Sequence, residues 1–298
     1  MAITIQASPQ GLITIQEYCD CLCNEFDLTD DNQVLESAPL LASLASTKSV
    51  ISDFLNQQLK DSLESFQSDN RYTAATLVLA EHESFVIRAN MWLPIDSKHI
   101  AWSNSLYSYG EPHDHNFSFL TIGFLGSGYG TNIHEYSYGD VSGYVGESVN
   151  MRHLEHTSLP AGKLMFYRAS KDIHTQEAPK EFSVSLNLIL VRPEENANSQ
   201  YYFNTETKQI SGFVPNINSG RESIIGLARY VGDNNTIDLL LDLASSHPQP
   251  RLRWAAYKSL SHLCPNDALS IFEQAAEDKC TFVSNQSRQA IYYYKYPR

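Results

Sequence analysis

Two histidines stand one residue apart in Pro112-His113-Asp114-His115, and a third, His174, lies far along the chain. His-x-His on an extended segment turns both imidazoles to the same side, because side chains along a strand repeat every two residues. A third histidine from a distant strand would close a three-nitrogen face around one divalent metal. Three protein ligands leave coordination positions open for substrate or oxygen, which is the arrangement of a working metal and not of a structural one. The pair follows the turn Tyr109-Gly110-Glu111-Pro112 and leads into an apolar run, 117–125, that ends in Gly126-Ser127-Gly128. His174 precedes the alternating run Phe182, Val184, Leu186, Leu188, Leu190, whose outward partners are read as Ser183, Ser185, Asn187 and Ile189. The mouth of a small barrel is a usual place for such a ligand site.

The elements that must position these residues change character along the chain. Residues 11–70 read as helical, with one helix over 14–26 and a second over 30–66. In the second, Leu40, Leu41, Leu44, Ile51, Phe54, Leu55 and Leu59 form one apolar stripe, and Pro39 breaks the segment near its start. From about Arg71 the pattern turns to short runs rich in β-branched and aromatic residues, at 73–80, 85–93, 117–125, 131–138, 163–168 and 182–191. Gly110, Gly126-Ser127-Gly128, Gly139-Asp140 and Pro160-Ala161-Gly162 punctuate them, as expected of an antiparallel sandwich or barrel. After Gly220 helical periodicity returns, over 224–230, 237–245, 251–263, 268–278 and 285–294. Arg253-Trp254-Ala255-Ala256-Tyr257 and Arg288-Gln289-Ala290-Ile291-Tyr292 repeat at an offset of 35 residues, which suits a two-helix unit of the HEAT type. The expected division is a helical segment 1–70, a metal-bearing antiparallel domain 71–215 and a helical extension 221–298. Trp254, Tyr257, Tyr292, Tyr293 and Tyr294 carry enough apolar area to be expected buried against the β-domain or a second chain.

Composition narrows the function class. The net charge of −13 argues against nucleic acid or an anionic membrane, since both require a basic face. No apolar run reaches the roughly 18–20 residues that span a bilayer, and the first residues lack a basic start and a longer apolar stretch, so no secretory signal is read. The five cysteines are an odd number, with Cys19, Cys21 and Cys23 crowded together, which does not look like a disulfide framework. The expected setting is the reducing cytoplasm.

On these motifs the chain resembles the cupins, and within them the three-histidine thiol dioxygenases typified by cysteine dioxygenase. His113-Asp114-His115 opening a strand is similar to that family's His-x-His, and the common cupin glutamate a few residues later is replaced by Phe119 and Leu120. His174-Thr175-Gln176 followed by Ser183-Val184-Ser185-Leu186-Asn187-Leu188 resembles the third ligand and its following strand. Ile87-Arg88-Ala89-Asn90 lies upstream of the metal pair as the family's carboxylate-binding arginine does. The resemblance covers roughly 70–193. It implies an α+β protein with a cupin-type antiparallel β-barrel (double-stranded β-helix), N-terminal helices and a C-terminal helical-repeat segment. It also implies Fe(II) on His113, His115 and His174, with O2 as co-substrate and Arg88 orienting a carboxylate. Asn187 would hydrogen-bond substrate or a ligand. Tyr167, Tyr129 and Tyr136 are candidates for the tyrosine that family members place near iron, with Tyr167 taken together with Asn187 as the catalytic pair. Asn187 is also a departure: mammalian-type enzymes carry a histidine there, and an asparagine cannot titrate near neutrality. The turn Pro160-Ala161-Gly162 matches the cupin proline-glycine turn, but His174 follows it at a greater distance than usual.

Other residues invite a chemical reading as well. Arg168 ends Leu164-Met165-Phe166-Tyr167 and is read as a second substrate-binding cation, against the plainer reading of a strand-edge arginine. His134-Glu135 reads as a strand-exposed polar pair, and His153 and His156 as solvent-facing. Cys19 and Cys23 share a helix face from which Cys21 points away, so the three do not converge on a metal. Residues 126–130 (Gly-Ser-Gly-Tyr-Gly) are a turn and not a phosphate cradle, and nucleotide-binding glycine motifs and a Gly-x-Ser-x-Gly elbow are absent. The leading expectation is a cytoplasmic Fe(II)-dependent cupin oxygenase acting with O2 on a small polar metabolite, thiol or amino-acid-like and carboxylate-bearing. The first rival uses Mn, Ni or Zn as a Lewis acid for isomerase or lyase chemistry. The second is a non-enzymatic, metal-bound ligand sensor whose helical tail docks a protein partner or forms a homodimer.

Overall fold

The computed structural model of the protein describes residues 3–60, 63–64, 72–95, 106–196, 198–215 and 217–296. Phe66 and Arg71, where the long helix was expected to end and the sheet to begin, lie outside the described residues. The chain packs as two units. One comprises Met1–Tyr138, Val149–Asn196 and Tyr202–Lys208; the other comprises Gly139–Ser148, Ala197–Tyr201 and Gln209–Arg298.

In the first unit a short strand, β1 (Ile3–Ile5), precedes helix α1 (Ile15–Glu25). Thr14 starts that helix with a capping box: its hydroxyl accepts from Glu17 N–H at 3.2 Å while the Glu17 carboxylate accepts from Thr14 N–H at 2.8 Å. The single helix expected over 30–66 is instead α2 (Asp31–Glu36), α3 (Ala38–Ser46) and α4 (Ser49–Lys60). Pro39 lies in the first turn of α3, where a missing N–H costs no hydrogen bond, so it opens a helix as well as ending one. Leu55 and Leu59 are 48% and 55% exposed, so the buried stripe does not continue through α4.

The strands that follow are β2 (Thr76–His82), β3 (Phe85–Trp92), β4 (Phe119–Leu125), β5 (Gly130–Glu135), β6 (Arg152–Ser158), β7 (Leu164–Tyr167), β8 (Asp172–Glu177) and β9 (Ser183–Leu190). The short helix α5 (Pro193–Asn196) and strand β10 (Tyr201–Asn204) come next. A six-stranded sheet has the order β1-β7-β4-β9-β3-β2, and a three-stranded sheet the order β6-β5-β8. The segment before β4 bridges onto β8 through Tyr109 to Gln176 and His113 to His174, taking the place of a fourth strand. Early and late strands thus alternate in both layers, β3-β9-β4-β7 in one and 109–113, β8, β5, β6 in the other, which is the pairing of a double-sheet jelly roll. The expected barrel is therefore an open sandwich, with β1 and β2 ending the larger sheet. The Gly126-Ser127-Gly128 turn is compulsory for glycine: Gly128 has φ +70°, and a Cβ there would meet Leu159 O at 1.8 Å.

Strand β9 shows how the layers are built. Val184, Leu186, Leu188 and Leu190 pack with Tyr18, Leu22, Leu41 and Leu44 of the helices. The alternate residues Ser183, Ser185, Asn187 and Ile189 are also buried, so they do not face outward as expected; Ile189 belongs to the core between the sheets. The same alternation holds on β3, β4 and β7, where Ile87, Leu120 and Phe166 face the helices and Trp92, Phe119 and Tyr167 face the sandwich interior.

The second unit contains β11 (Gln209–Phe213) and helices α6 (Ile217–Val231), α7 (Asn234–Ser246), α8 (Pro250–Leu263), α9 (Ala268–Ala276) and α10 (Thr281–Lys295). Its core gathers Leu240, Leu252, Ala256, Leu260 and Val283 with Trp254 and Tyr257. Trp254 and Tyr257, expected against the β-domain or a second chain, are instead buried in this unit's own core, and Tyr292, Tyr293 and Tyr294 are 60%, 45% and 52% exposed. Their helix buries Phe282, Val283, Ser284 and Ser287, which leaves the tyrosine end on another face. Arg253 ties α8 to the start of α10 by a two-pronged ion pair with Asp278, at 2.8 and 2.7 Å. No helix of the described residues is long and apolar enough to cross a membrane.

Candidate metal centre

His113 and His174 are fixed opposite each other by backbone hydrogen bonds. His113 N–H donates to His174 O at 3.1 Å, and His174 N–H donates to His113 O at 2.9 Å. Directly opposed residues of an antiparallel pair project their side chains to the same face. His115, two residues on, projects with His113. The result is convergence: Nε2 of His174 lies 3.1 Å from Nε2 of His113 and 3.0 Å from Nε2 of His115. The ligating atoms of all three lie within 4.8 Å of one another, and this is the one such group of histidine, cysteine or acidic residues among the described residues. His174 was expected at the head of the following apolar run; it sits within its own strand, β8, in the opposite sheet.

The donor set suits a divalent cation. His113 Nδ1–H donates to Glu111 O at 2.8 Å, which leaves the Nε2 lone pair directed inward. Burial lowers the His113 pKa, against the opposing pull of that carbonyl. His115 and His174 are driven well below the ordinary histidine range, first by burial and then by neighbouring charge, including that of Arg88. Three neutral imidazoles are thereby held as acceptors with little water beside them; His174 Nδ1 is itself buried without a hydrogen-bond partner. Phe117 stacks on His115 at 4.6 Å, and the Tyr167 ring lies 5.0 Å from His174.

The interior face of the six-stranded sheet carries the other candidates. Cross-strand register aligns Arg88 of β3, Asn187 of β9 and Thr121 of β4 in one row. Thr121 Oγ1 donates to Asn187 Oδ1 at 2.6 Å, so that amide bridges strands. The Arg88 guanidinium lies 4.7 Å over the Tyr72 ring, and its Nε is buried with no hydrogen-bond partner. Burial pushes the Tyr129 pKa up to about 12, against the opposing pull of Tyr167, Arg88, Thr121 and Gln176 nearby. Burial likewise keeps the Tyr167 hydroxyl protonated, well above its usual range. Trp92 closes one side, 4.5 Å from Tyr129, with its indole N–H donating to Ser185 Oγ at 3.0 Å.

Other sequence candidates lie elsewhere. The Arg168 guanidinium is engaged by Asp172 at 3.0 Å and Glu135 at 3.2 Å, so the cation is already neutralised as a staple between β5 and the β7–β8 turn. Tyr136 donates to Asp114 Oδ2 at 2.6 Å. Asp114 is fully buried between the paired histidines, a role the sequence reading did not assign. Strand alternation was the available signal, since the middle residue of His-x-His must point away from the metal face and needs its own anchor. His134 rests 5.1 Å from His153, and His156 pairs with Glu177 at 3.0 Å. Cys19, Cys21 and Cys23 are free thiols on α1.

The strand pairing is that of a double-sheet jelly roll, an architecture that cupins share. Residues 215–291 match a family model described as HEAT repeats, in agreement with the repeated helices of the extension. Among solved structures the chain is similar to hydroquinone 1,2-dioxygenase PnpCD, at 12% identity over 42% of this chain and 69% of that one, with a TM-score of 0.25. It is similar to the DMSP lyases RdDddP and RnDddQII at 16% identity, 42% and 50% coverage and a TM-score of 0.26, so it spans half of that chain's length. A cupin-2 domain protein from Shewanella frigidimarina NCIMB 400 matches at 15% identity, 45% and 92% coverage and a TM-score of 0.23. No curated protein matches the chain.

Proposed function

We propose that this protein is a cupin acting as an Fe(II)-dependent oxygenase of a small carboxylate-bearing metabolite, with His113, His115 and His174 as the protein ligands of one metal ion. The observation that carries the reading is the convergence of three neutral imidazoles, His113 and His174 buried and His115 half-buried, on one point within 4.8 Å. Iron bound there supplies redox chemistry with O2 and a positive charge that attracts an anionic donor such as a thiolate or carboxylate. The chain's own residues supply position. Arg88 has an unfilled buried N–H and binds the substrate carboxylate through its planar fork. Tyr129 and Tyr167 keep their protons at neutral pH and act as hydrogen-bond donors toward the bound anion. Asn187 holds the floor through Thr121 and does not exchange a proton. Phe117, Phe119 and Trp92 exclude water from the reacting groups. Arg168 is assigned to the fold instead of to the substrate.

The test is metal analysis of protein purified anaerobically, followed by oxygen-uptake assays with Fe(II) over a panel of small thiols and amino acids. Near one metal per chain and Fe(II)-dependent uptake are expected, with both lost in His174→Ala. Full occupancy in that variant would remove His174 from the ligand set. Turnover without oxygen uptake would replace the oxygenase by Lewis-acid chemistry.

A further inference from the structure

The helical unit holds a groove of about 1030 Å³ that owes nothing to the histidine site. Three helices each give it one face, at the spacing of successive turns: Glu222, Ser223 and Arg229 from α6; Arg251, Trp254 and Lys258 from α8; Phe282, Gln286 and Gln289 from α10. In a chain of net charge −13, its lining carries three cations and the one carboxylate of Glu222. That carboxylate is already taken, because Arg251 pairs with it at 2.6 Å while stacking 3.9 Å over Phe213. Arg251 Nη1 is buried with no hydrogen-bond partner. Lys258 lies 5.7 Å over the Trp254 ring, and among the described residues no carboxylate pairs with it or with Arg229. Burial and then the charge of Arg229 lower the Lys258 pKa, with Glu222 acting against them, so positive charge is concentrated and incompletely neutralised.

We propose that this groove docks an acidic peptide segment of a partner protein. Charge complementarity selects the carboxylates, which meet Lys258, Arg229 and the unfilled edge of Arg251. The volume lies at the upper end of small-molecule sites, roughly 300–1000 Å³, and the groove is walled along helix axes. The amides of Asn285, Gln286 and Gln289 line the α10 side, where each offers both a donor and an acceptor to a peptide backbone. Tyr144 and Val145, 38% and 57% exposed, join Trp254 and Phe282 to receive an apolar side chain between the acidic ones. The proposal does not rest on the metal reading, and metal-free and metal-loaded protein bind alike.

The experiment uses the full chain and fluorescence anisotropy with a labelled Glu-Glu-Leu repeat peptide, its Lys-Lys-Leu counterpart and inorganic phosphate as competitor. Saturable binding of the acidic peptide is expected, weakening as salt rises, with no binding of the basic one. Lys258→Glu and Arg229→Glu each weaken binding about tenfold or more, Lys258→Arg preserves it, and unfolding midpoints stay at the wild-type value. Should Lys258→Glu not fold, Lys258→Gln carries the comparison with a smaller loss of the same sign. Equal binding of the basic peptide overturns the proposal, as does acidic-peptide affinity unchanged in all these variants. Phosphate that displaces the peptide at equal concentration overturns it too, in favour of a small-anion site.

Discussion

The histidine centre and the helical groove solve opposite electrostatic problems. At the centre, three rings that could carry charge are kept neutral by burial, and two backbone hydrogen bonds between His113 and His174 set their spacing. In the groove, side chains that must carry charge are spread along three helices and kept partly in contact with solvent. A β-ladder fixes opposed residues to a fraction of an ångström, which a metal requires; helix faces repeat every turn and suit a longer, adaptable ligand. The sequence signal differs in the same way. His-x-His can be seen in one short stretch, whereas the groove's cations are scattered from Arg229 to Lys258 and share a site only after the helices pack.

Four measurements test how far packing, charge and chemistry are separated in this molecule. Leu188→Ala, on the helix-facing side of β9, removes a fully buried side chain and costs about 2–5 kcal/mol in denaturant unfolding. It should leave metal content per folded chain unchanged. Loss of metal under native conditions would show that the two faces of β9 do not separate packing from chemistry.

Arg253→Ala strands the nearly buried Asp278 carboxylate and destabilises by about 3 kcal/mol. The double variant Arg253→Ala, Asp278→Ala should lose less than the sum of the two single changes. Strict additivity would mean that the ion pair does not brace α8 against α10.

Arg88→Ala should raise KM roughly 10–100-fold, the worth of a hydrogen bond to a charged group, with kcat little changed. Arg88→Lys keeps the charge but loses the fork, and recovers part of the effect. An unchanged KM for a carboxylate substrate returns Arg88 to a purely structural partner of Tyr72.

The smallest effect concerns pH. Hydrogen bonds from Arg152, then from Arg168, lower the Glu135 pKa to about 2. An unfolded glutamate titrates near 4.3, so the folded state is the weaker proton binder. The stabilisation is complete above about pH 4.3 and is lost as pH falls toward 2. Because Arg152 is largely exposed, the pair is worth about 1 kcal/mol or less. Glu135→Gln should flatten stability across that window, and an unaltered pH slope would remove the pair from the balance.

Much of the fold and part of the centre was legible beforehand. The six strands expected from β-branched runs appear, with ends shifted by a few residues. Strand β6, Arg-His-Leu-Glu-His-Thr-Ser, escaped because its side chains are mostly polar and solvent-facing; edge strands need little apolar signal. Strand β8, Asp-Ile-His-Thr-Gln-Glu, escaped although it carries His174, because its inward residues are the functional ones and are polar by necessity. Arg168 looked like Arg88 in sequence, and only the neighbouring Asp172 and Glu135 separate their roles.

By itself the sequence determined which residues share a face: His113 with His115, Val184 with Leu186 and Leu188, and Arg251 with Trp254 and Lys258, since backbone geometry repeats at two and at about 3.6 residues. It also determined where α1 begins, through Thr14 and Glu17. What covers each face was decided by the tertiary structure. Helices α1 and α3 cover the apolar side of β9, so its serines and Asn187 face the sandwich interior instead of solvent. Pairing of the segment before β4 with β8, within the smaller sheet, opposes His174 to His113, and Tyr292, Tyr293 and Tyr294 remain exposed on α10. Local periodicity is a property of the backbone, whereas the identity of the neighbour depends on contacts between segments far apart in the chain.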